Sequence, residues 1–500
     1  MRKKKLVLNT VSSLINQIAM VVCAFILPRL ILTMFGSTVN GLVSSITQFL
    51  TVITLLELGV GAVVQLSLYG PLSRKESQLV SAIMSSAGKF FRRLAQVMAI
   101  YVIALLIIYP LCINKQFGFL YTGTLILSLC ISYFAQYYFG LKNQLLVIAD
   151  QRGYIHYSLN TVVLILNNVL GALLIINGFS IQLVKLTTSL TLLLRPICLE
   201  LYVQKHYKID KKVQYEGEPI KQKWNGIAQH IATVVLNSTD TIVLTLFSTL
   251  ANVSIYNVYY LVVNGLRNLA ISLSSGMQSL MGNLIAKKEN ELLNRIFDTY
   301  ESLFHLMVTF VFGCAMVLIV PFVQIYTYDV SDANYVVPAF GYLICLANMA
   351  YCLRMPYNVL VLAAGHYKQT QNSAWMEMTI NIVISVLVVV KYGLIGVAVG
   401  TLCAMLYRTF YMVWYLSNNI MRRSPLNFIK HMLVDVVCVM LMVFVGNLFM
   451  LKSFGYSAWV ILALKKGVVN ITICTVLNVV FFKKSLMGIR NLFSKKRTEC

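Results

Sequence analysis

Charge is scarce in this chain. Of its 500 residues only 12% are Asp, Glu, Lys or Arg, and acids are the scarcer sign, 17 against 41 bases. A soluble globular domain carries about 25% charged and 45–50% apolar residues. Here 58% are hydrophobic, with a mean hydropathy of +0.76. That balance excludes an ordinary soluble enzyme, and it excludes disorder, since disordered chains are polar. Motifs of soluble chemistry are also missing. There is no G-x-x-x-x-G-K-[ST] loop, hence no ATP motor, and no H-E-x-x-H or paired Cys/His spacing that would bind a metal. The 11 cysteines stand singly, mostly inside apolar runs, without a C-x-x-C, and read as small apolar residues. No cofactor is expected.

What the chain has is apolar runs and a net charge of +24. A basic chain usually suggests nucleic acid, but a polytopic membrane protein collects Lys and Arg in its cytoplasmic loops. A spanning helix needs about 20 apolar residues. Such runs fall near 7–30, 42–66, 94–114, 118–141, 157–177, 182–203 and 228–248, then near 254–280, 303–327, 336–362, 372–390, 393–417, 431–451 and 467–482. The reading is an all-α membrane protein of about 14 spans. Arg2 to Lys5 resemble a signal peptide's basic region, but no A-x-A-like site follows, so the first helix is read as uncleaved. Lys465 and Lys466 interrupt the last run; 456–466 is placed at the outer interface and the helix is started at Gly467.

With the N-terminus inside, 30 of the 41 basic residues fall in inner segments, 5 in outer segments and 6 within spans. The positive-inside rule then puts both termini in the cytoplasm. The stretches Arg74–Arg93 and Lys287–His305 are amphipathic and are expected along the inner surface, against anionic headgroups.

The chain repeats. Lys75-Glu76-x-x-Leu79 recurs as Lys288-Glu289-x-x-Leu292, Leu146–Ala149 as Leu360–Ala363, Gly178 as Gly393 and Arg195 as Arg408, at offsets of 213 to 215. Six spans per repeat give two lobes of one orientation, as in parallel-repeat transporters. The expected division is a lobe at 1–210, a cytoplasmic linker at 211–225, a second lobe at 226–420, and helices 13–14 with a basic tail at 421–500.

Ionisable groups in hydrocarbon cost roughly 2.5–3.5 kcal/mol each and normally face a cavity or a partner. The embedded ones are Arg29, Glu57, Arg195, Asp240, Arg267, Arg354, Glu377 and Arg408. Under the offset, Arg29 matches Asp240, Glu57 matches Arg267 and Lys142 matches Arg354, within three residues. Similar depths in both lobes suit a shared central cavity; structural ion pairs are the alternative. Prolines stand beside three of these arginines, in Pro28-Arg29, Arg195-Pro196 and Arg354-Met355-Pro356. Proline breaks helix bonding, which hydrocarbon tolerates mainly where protein or water satisfies the backbone. Arginine's planar fork suits phosphate oxygens, so an excess of embedded Arg favours an anion. Tyr411 and Tyr415 share a helix face with Arg408 and are either a sugar-stacking surface or interfacial anchors. Gly59, Gly61, Gly276 and Gly282 are read as points of close approach or bending.

Leu27-Pro28-Arg29, Gly36 and Gly41-Leu42, then Leu55–Gly61 resemble the opening of Wzx-type polysaccharide flippases, and Asn237–Asp240 with Ser254–Tyr259 resemble the start of their second lobe. These flippases belong to the multidrug/oligosaccharidyl-lipid/polysaccharide (MOP) exporter superfamily. The resemblance implies two six-helix lobes plus two C-terminal helices, and a transporter rather than an enzyme. It implies translocation of an undecaprenyl-pyrophosphate-linked oligosaccharide from the inner to the outer leaflet of a bacterial cytoplasmic membrane, for capsule, O-antigen, exopolysaccharide or teichoic acid. The pyrophosphate-binding role carries over to Arg29, Arg267, Arg354 and Arg408, with the embedded Arg195 counted beside them. Glu57, Asp240 and Glu377 are the acids available for coupling or gating. Implied partners are the lipid-linked cargo, membrane lipids and a polysaccharide polymerase with its assembly proteins, with no nucleic acid. A lipid II-like cargo, a drug/cation antiporter and a membrane glycosyltransferase or polymerase are the competing readings.

Overall fold

Backbone polar groups in hydrocarbon must be satisfied within the segment, so the apolar runs are expected to be helices, and each of the fourteen lies on helix. A computed structural model describes residues 2–57, 59–114, 116–210, 227–421, 423–451 and 453–494. The expected linker at 211–225 and the last residues of the basic tail lie outside them. The chain is an all-helical, multi-pass membrane protein, with no strand among the described residues. It divides into two compact units, Met1–Leu246 and Phe247–Cys500.

The first unit opens with α1 (Arg2–Thr51), whose helix is interrupted at Gly36, φ 82 and ψ 174. Fifty residues would span about 75 Å, over twice a bilayer core, and the break divides the helix between the first two apolar runs. A 3-10 turn (Val52–Glu57) leads to α2 (Val60–Arg74). Next come α3 (Ser77–Ile108), α4 (Phe119–Ala135), a π-turn at Gln136–Gly140, and α5 (Leu141–Ala149). The unit continues through α6 (Gly153–Ile176), α7 (Ile181–His206) and α8 (Ile227–Phe247). α6 packs on α1 and α7, and α4 packs on α7. α8 is tied to α1 by polar bonds, Gln48 to Ser238 Oγ at 2.6 Å and Thr245 to Ser45 Oγ at 2.8 Å.

The second unit holds α9 (Leu250–Ala286), α10 (Asn290–Tyr326), α11 (Pro338–Leu353), α12 (Met355–Ala363), α13 (Tyr367–Tyr392), α14 (Leu394–Asn419), α15 (Leu426–Gly446) and α16 (Tyr456–Ser494). α14 lies against α13 and α11, while α15 and α16 lie against α10. Among the described residues, eleven helices are long and apolar enough to cross a membrane. Val7–Glu57 is one of these although it holds the first two runs. α9 and the α11–α12 pair are not among them; α9 carries Asn264, Arg267 and Asn268, and α11 stops at Arg354.

The repeat is written into the backbone. Lys75 and Lys288 both adopt the left-handed conformation, φ 59 and 58, and each is followed by a Glu that starts a long helix. Gln151 and Gly365 (φ 58 and 76) and Gly178 and Gly393 (φ 77 and 52) pair in the same way. The offsets are 213, 214 and 215 residues. Non-glycine residues with positive φ are uncommon, so this coincidence carries more weight than apolar similarity.

Two expectations are corrected. The stretches Arg74–Arg93 and Lys287–His305 are not separate surface segments. After the left-handed turn, α3 and α10 run unbroken into their apolar runs, because no proline intervenes before Pro110 or Pro321. Nor does the last helix start at Gly467. α16 begins at Tyr456, and Lys466 is buried, 3% exposed. Its ammonium donates to the Val317 carbonyl at 2.9 Å, and Trp459 Nε1 to that of Leu318 at 3.3 Å. Proline at 321 removes the N–H that the Val317 carbonyl would accept. The lysine replaces that donor, which is why a charge is tolerated there.

Candidate functional site

In the second unit two arginines from different helices share one acid, and a third arginine shares a tyrosine ring with one of them. Their approach starts at a glycine-built hairpin. Gly393, with φ 52, makes the turn between α13 and α14. A Cβ on Gly396 would lie 2.6 Å from the Val388 backbone, and one on Gly400 would lie 2.7 Å from the Ser385 nitrogen. Glycines four apart face the same way and let two helix backbones meet. This close pairing brings Glu377 of α13 to Arg408 of α14.

Glu377 is fully buried and offers one oxygen to each of two guanidinium groups. Arg354 Nη1 lies 2.5 Å from Oε1 and Arg408 Nη1 lies 2.5 Å from Oε2. Both arginines are only 4% exposed. Arg354 stands at the junction of α11 and α12, and Pro356 begins the second helix. Thr409, beside Arg408, donates to the Ala350 carbonyl at 2.9 Å and fixes α14 against that junction. The third arginine, Arg267 of α9, is partly exposed and bonds Tyr260 Oη at 2.9 Å and Asn264 Oδ1 at 3.0 Å. The Tyr351 ring joins the group: Arg354 Cζ lies 4.8 Å from its centroid and Arg267 Cζ 5.2 Å. Arg354, Arg408 and Glu377 together carry two cations and one anion. A single carboxylate holding two buried guanidinium groups leaves a surplus suited to an anion with several oxygens.

Other expected site residues lie elsewhere. Arg195 on α7 bonds amides, Asn160 Oδ1 at 2.8 Å and Gln136 Oε1 at 2.6 Å, the latter in the π-turn. Its repeat mate Arg408 holds a carboxylate instead. Arg29 is partly exposed on α1, seven residues before the break at Gly36; Asp240 is buried on α8. Glu57 ends the 3-10 turn with its carboxylate against Gly61. His230 of α8 is bonded to the Thr54 carbonyl of the same turn at 2.9 Å. Of the three prolines beside arginines, only Pro356 sits at a helix break; Pro28 and Pro196 lie inside α1 and α7. Tyr411 stacks on Tyr415, centroids 6.1 Å apart, and Tyr415 is buried and bonds His366 Nδ1 at 2.9 Å.

Sequence reasoning missed Glu301, His305, His431 and Asp435, all buried in the second unit, and placed the buried Lys466 at the outer interface. The available signal was spacing: Glu301, His305 and Thr309 recur every four residues, as do His431 and Asp435.

The fold is that of the MOP-type transporters. No protein-family model and no curated protein matches the sequence. Solved structures do. The chain is similar to the lipid II flippase MurJ in an inward closed conformation, with TM-score 0.70 and 12% identity over 95% of this chain and 99% of that one. It is similar to an inward-facing multidrug resistance MATE transporter of the MOP superfamily, with TM-score 0.55 and 10% identity over 80% of this chain and 95% of that one. The Vibrio cholerae MATE transporter VcmN in the bent form gives 0.54 and 12% over 87% and 98%.

Proposed function

We propose that this protein is a flippase for an undecaprenyl-pyrophosphate-linked oligosaccharide, moved from the inner to the outer leaflet of a bacterial cytoplasmic membrane for surface polysaccharide assembly. The observation that carries this reading is the pair Arg354 and Arg408 sharing the single acid Glu377, with Arg267 on the same Tyr351 ring as Arg354. A pyrophosphate presents several oxygens to such donors, and arginine's fork fits them. A cationic drug would meet a surplus of like charge, which disfavours the antiporter reading. Glu377 keeps the arginines apart until cargo arrives, and Glu57 and Asp240 remain candidates for coupling or gating. Arg29 and Arg195 are further candidate anion contacts.

Neither an ATP site nor an external domain is needed for the direction of transport. With the interior negative, an anionic headgroup is driven outward by about 2.3 kcal/mol per charge per 100 mV. Undiminished export after collapse of both potential and ion gradients would overturn this driving force. A second reading, a lipid II-like cargo, is favoured by the similarity to MurJ over 95% of the chain; both cargoes present the same polyprenyl pyrophosphate. Deletion separates the readings. Lipid-linked oligosaccharide accumulating on the inner leaflet supports the first, lipid II accumulating there supports the second, and failure to build the repeat unit points to a transferase.

A further inference from the structure

A second buried polar seam runs along α10 in the same unit. Asp298, Glu301, Ser302, His305 and Thr309 are three or four residues apart and share a face. Exposure falls along it, from 54% at the Asp298 side chain to 2% at Glu301 and 0% at His305 and Thr309. Arg423 bridges the first two acids, 2.8 Å from Asp298 Oδ1 and 2.5 Å from Glu301 Oε2. The Tyr357 hydroxyl donates to the other Glu301 oxygen. Ser302 Oγ lies 3.5 Å from His431 Nε2, and the His431 ring lies 4.9 Å from that of His305. His305 Nδ1 then meets Asp435 Oδ2 at 2.5 Å, and Thr309 donates to Oδ1 at 2.7 Å. From Asp298 to Thr309 the helix rises roughly 16 Å, about half a bilayer core.

The charges do not balance. Among the described side chains facing this seam, Asp298, Glu301 and Asp435 are three acids and Arg423 is one permanent cation. The neighbouring elements add little: α12 gives Tyr357, and α9 gives Ser274, bonded to Tyr300 of α10. α11 has no charged residue, and the single arginine of α9, Arg267, is held at Tyr351. From α15 come His431 and Cys438, the latter packed with Cys474 of α16. Lys466 of α16 is held farther along, at Val317. A lone buried carboxylate is costly. One proton held between Asp435 and His305 makes that pair neutral; losing it leaves Asp435 as a buried anion. His305 Nε2 and His431 Nδ1 are both buried without a hydrogen-bond partner.

We propose that the α10–α15 seam is a proton-binding site, in which Asp435 and His305 share one exchangeable proton that enters and leaves from water at Asp298 and sets how firmly α15 docks on α10. Nothing but a proton is exchanged, and the cargo reading is not required. The test is a titration of the purified full-length protein in detergent, followed by proton uptake and by carboxyl infrared difference bands. Over the range of about pH 5 to 8, where imidazoles usually titrate, wild type should take up about one proton more than Asp435→Asn and should show a carboxyl band that the variant lacks. Thr309→Val removes a donor to the Asp435 anion and should raise the titration midpoint by about one pH unit, a tenfold change in proton affinity. Equal uptake and equal bands in wild type and folded Asp435→Asn would overturn the proposal. If that variant does not fold, an unmoved midpoint in Thr309→Val overturns it.

Discussion

Glu377 carries more than an ordinary side chain does, because two buried arginines depend on it. Removing one partner of a buried ionic group costs about 3–5 kcal/mol, since the remaining charge is left uncompensated. Glu377→Gln should therefore lower the thermal midpoint sharply, and added pyrophosphate should recover part of the loss; an unchanged midpoint would remove the group's structural role. Lys466 makes a second, separable case. Lys466→Met leaves the Val317 carbonyl short of a donor, at about 1–3 kcal/mol, but in a Pro321→Ala background the helix supplies its own N–H. A double-mutant cycle should show the lysine's contribution shrinking once the proline is gone. These residues were unequally legible. Arg354, Glu377 and Arg408 stand out in sequence as charges within apolar runs. That they meet does not, because contacts across 23 and 31 residues depend on helix packing.

At the scale of elements, the α13–α14 hairpin sets the site. Gly400→Val would force a Cβ to within 2.7 Å of the Ser385 nitrogen. Backbone cannot yield as a flexible side chain can, so the helices must part and Arg408 must withdraw from Glu377. The expected outcome is a lower midpoint together with loss of transport; normal activity at a normal midpoint would show that the close approach is dispensable. The sequence reading named other glycines instead. Of these, Gly282 has only an ordinary neighbour at 3.9 Å, because a small residue signals close packing only where a second helix arrives. Likewise α3 and α10 had polar first turns that looked like surface segments. Polarity suggested a surface position, but continuity was decided by the absence of a breaker.

At the scale of the molecule, the proposed anion translocation can be tested at Arg267. Arg267 is partly exposed and bonded to neutral groups, so Arg267→Gln should leave protein level in the membrane unchanged. Each hydrogen bond to a charged group contributes about 1.5–3 kcal/mol, so lipid-linked oligosaccharide export should fall by roughly ten- to a hundredfold. Normal surface polysaccharide in that variant would take Arg267 out of the cargo path. The all-helical, many-spanning character of the chain, its repeat and its embedded charges followed from one-dimensional properties: run length, spacing and hydropathy. These act locally, through the cost of placing each residue in hydrocarbon. Which charges share a carboxylate, which lysine fills a carbonyl left by proline, and that four further buried groups form a seam were decided only by the tertiary structure. Such partnerships are set by the close approach of helices distant in sequence, and no single segment encodes them.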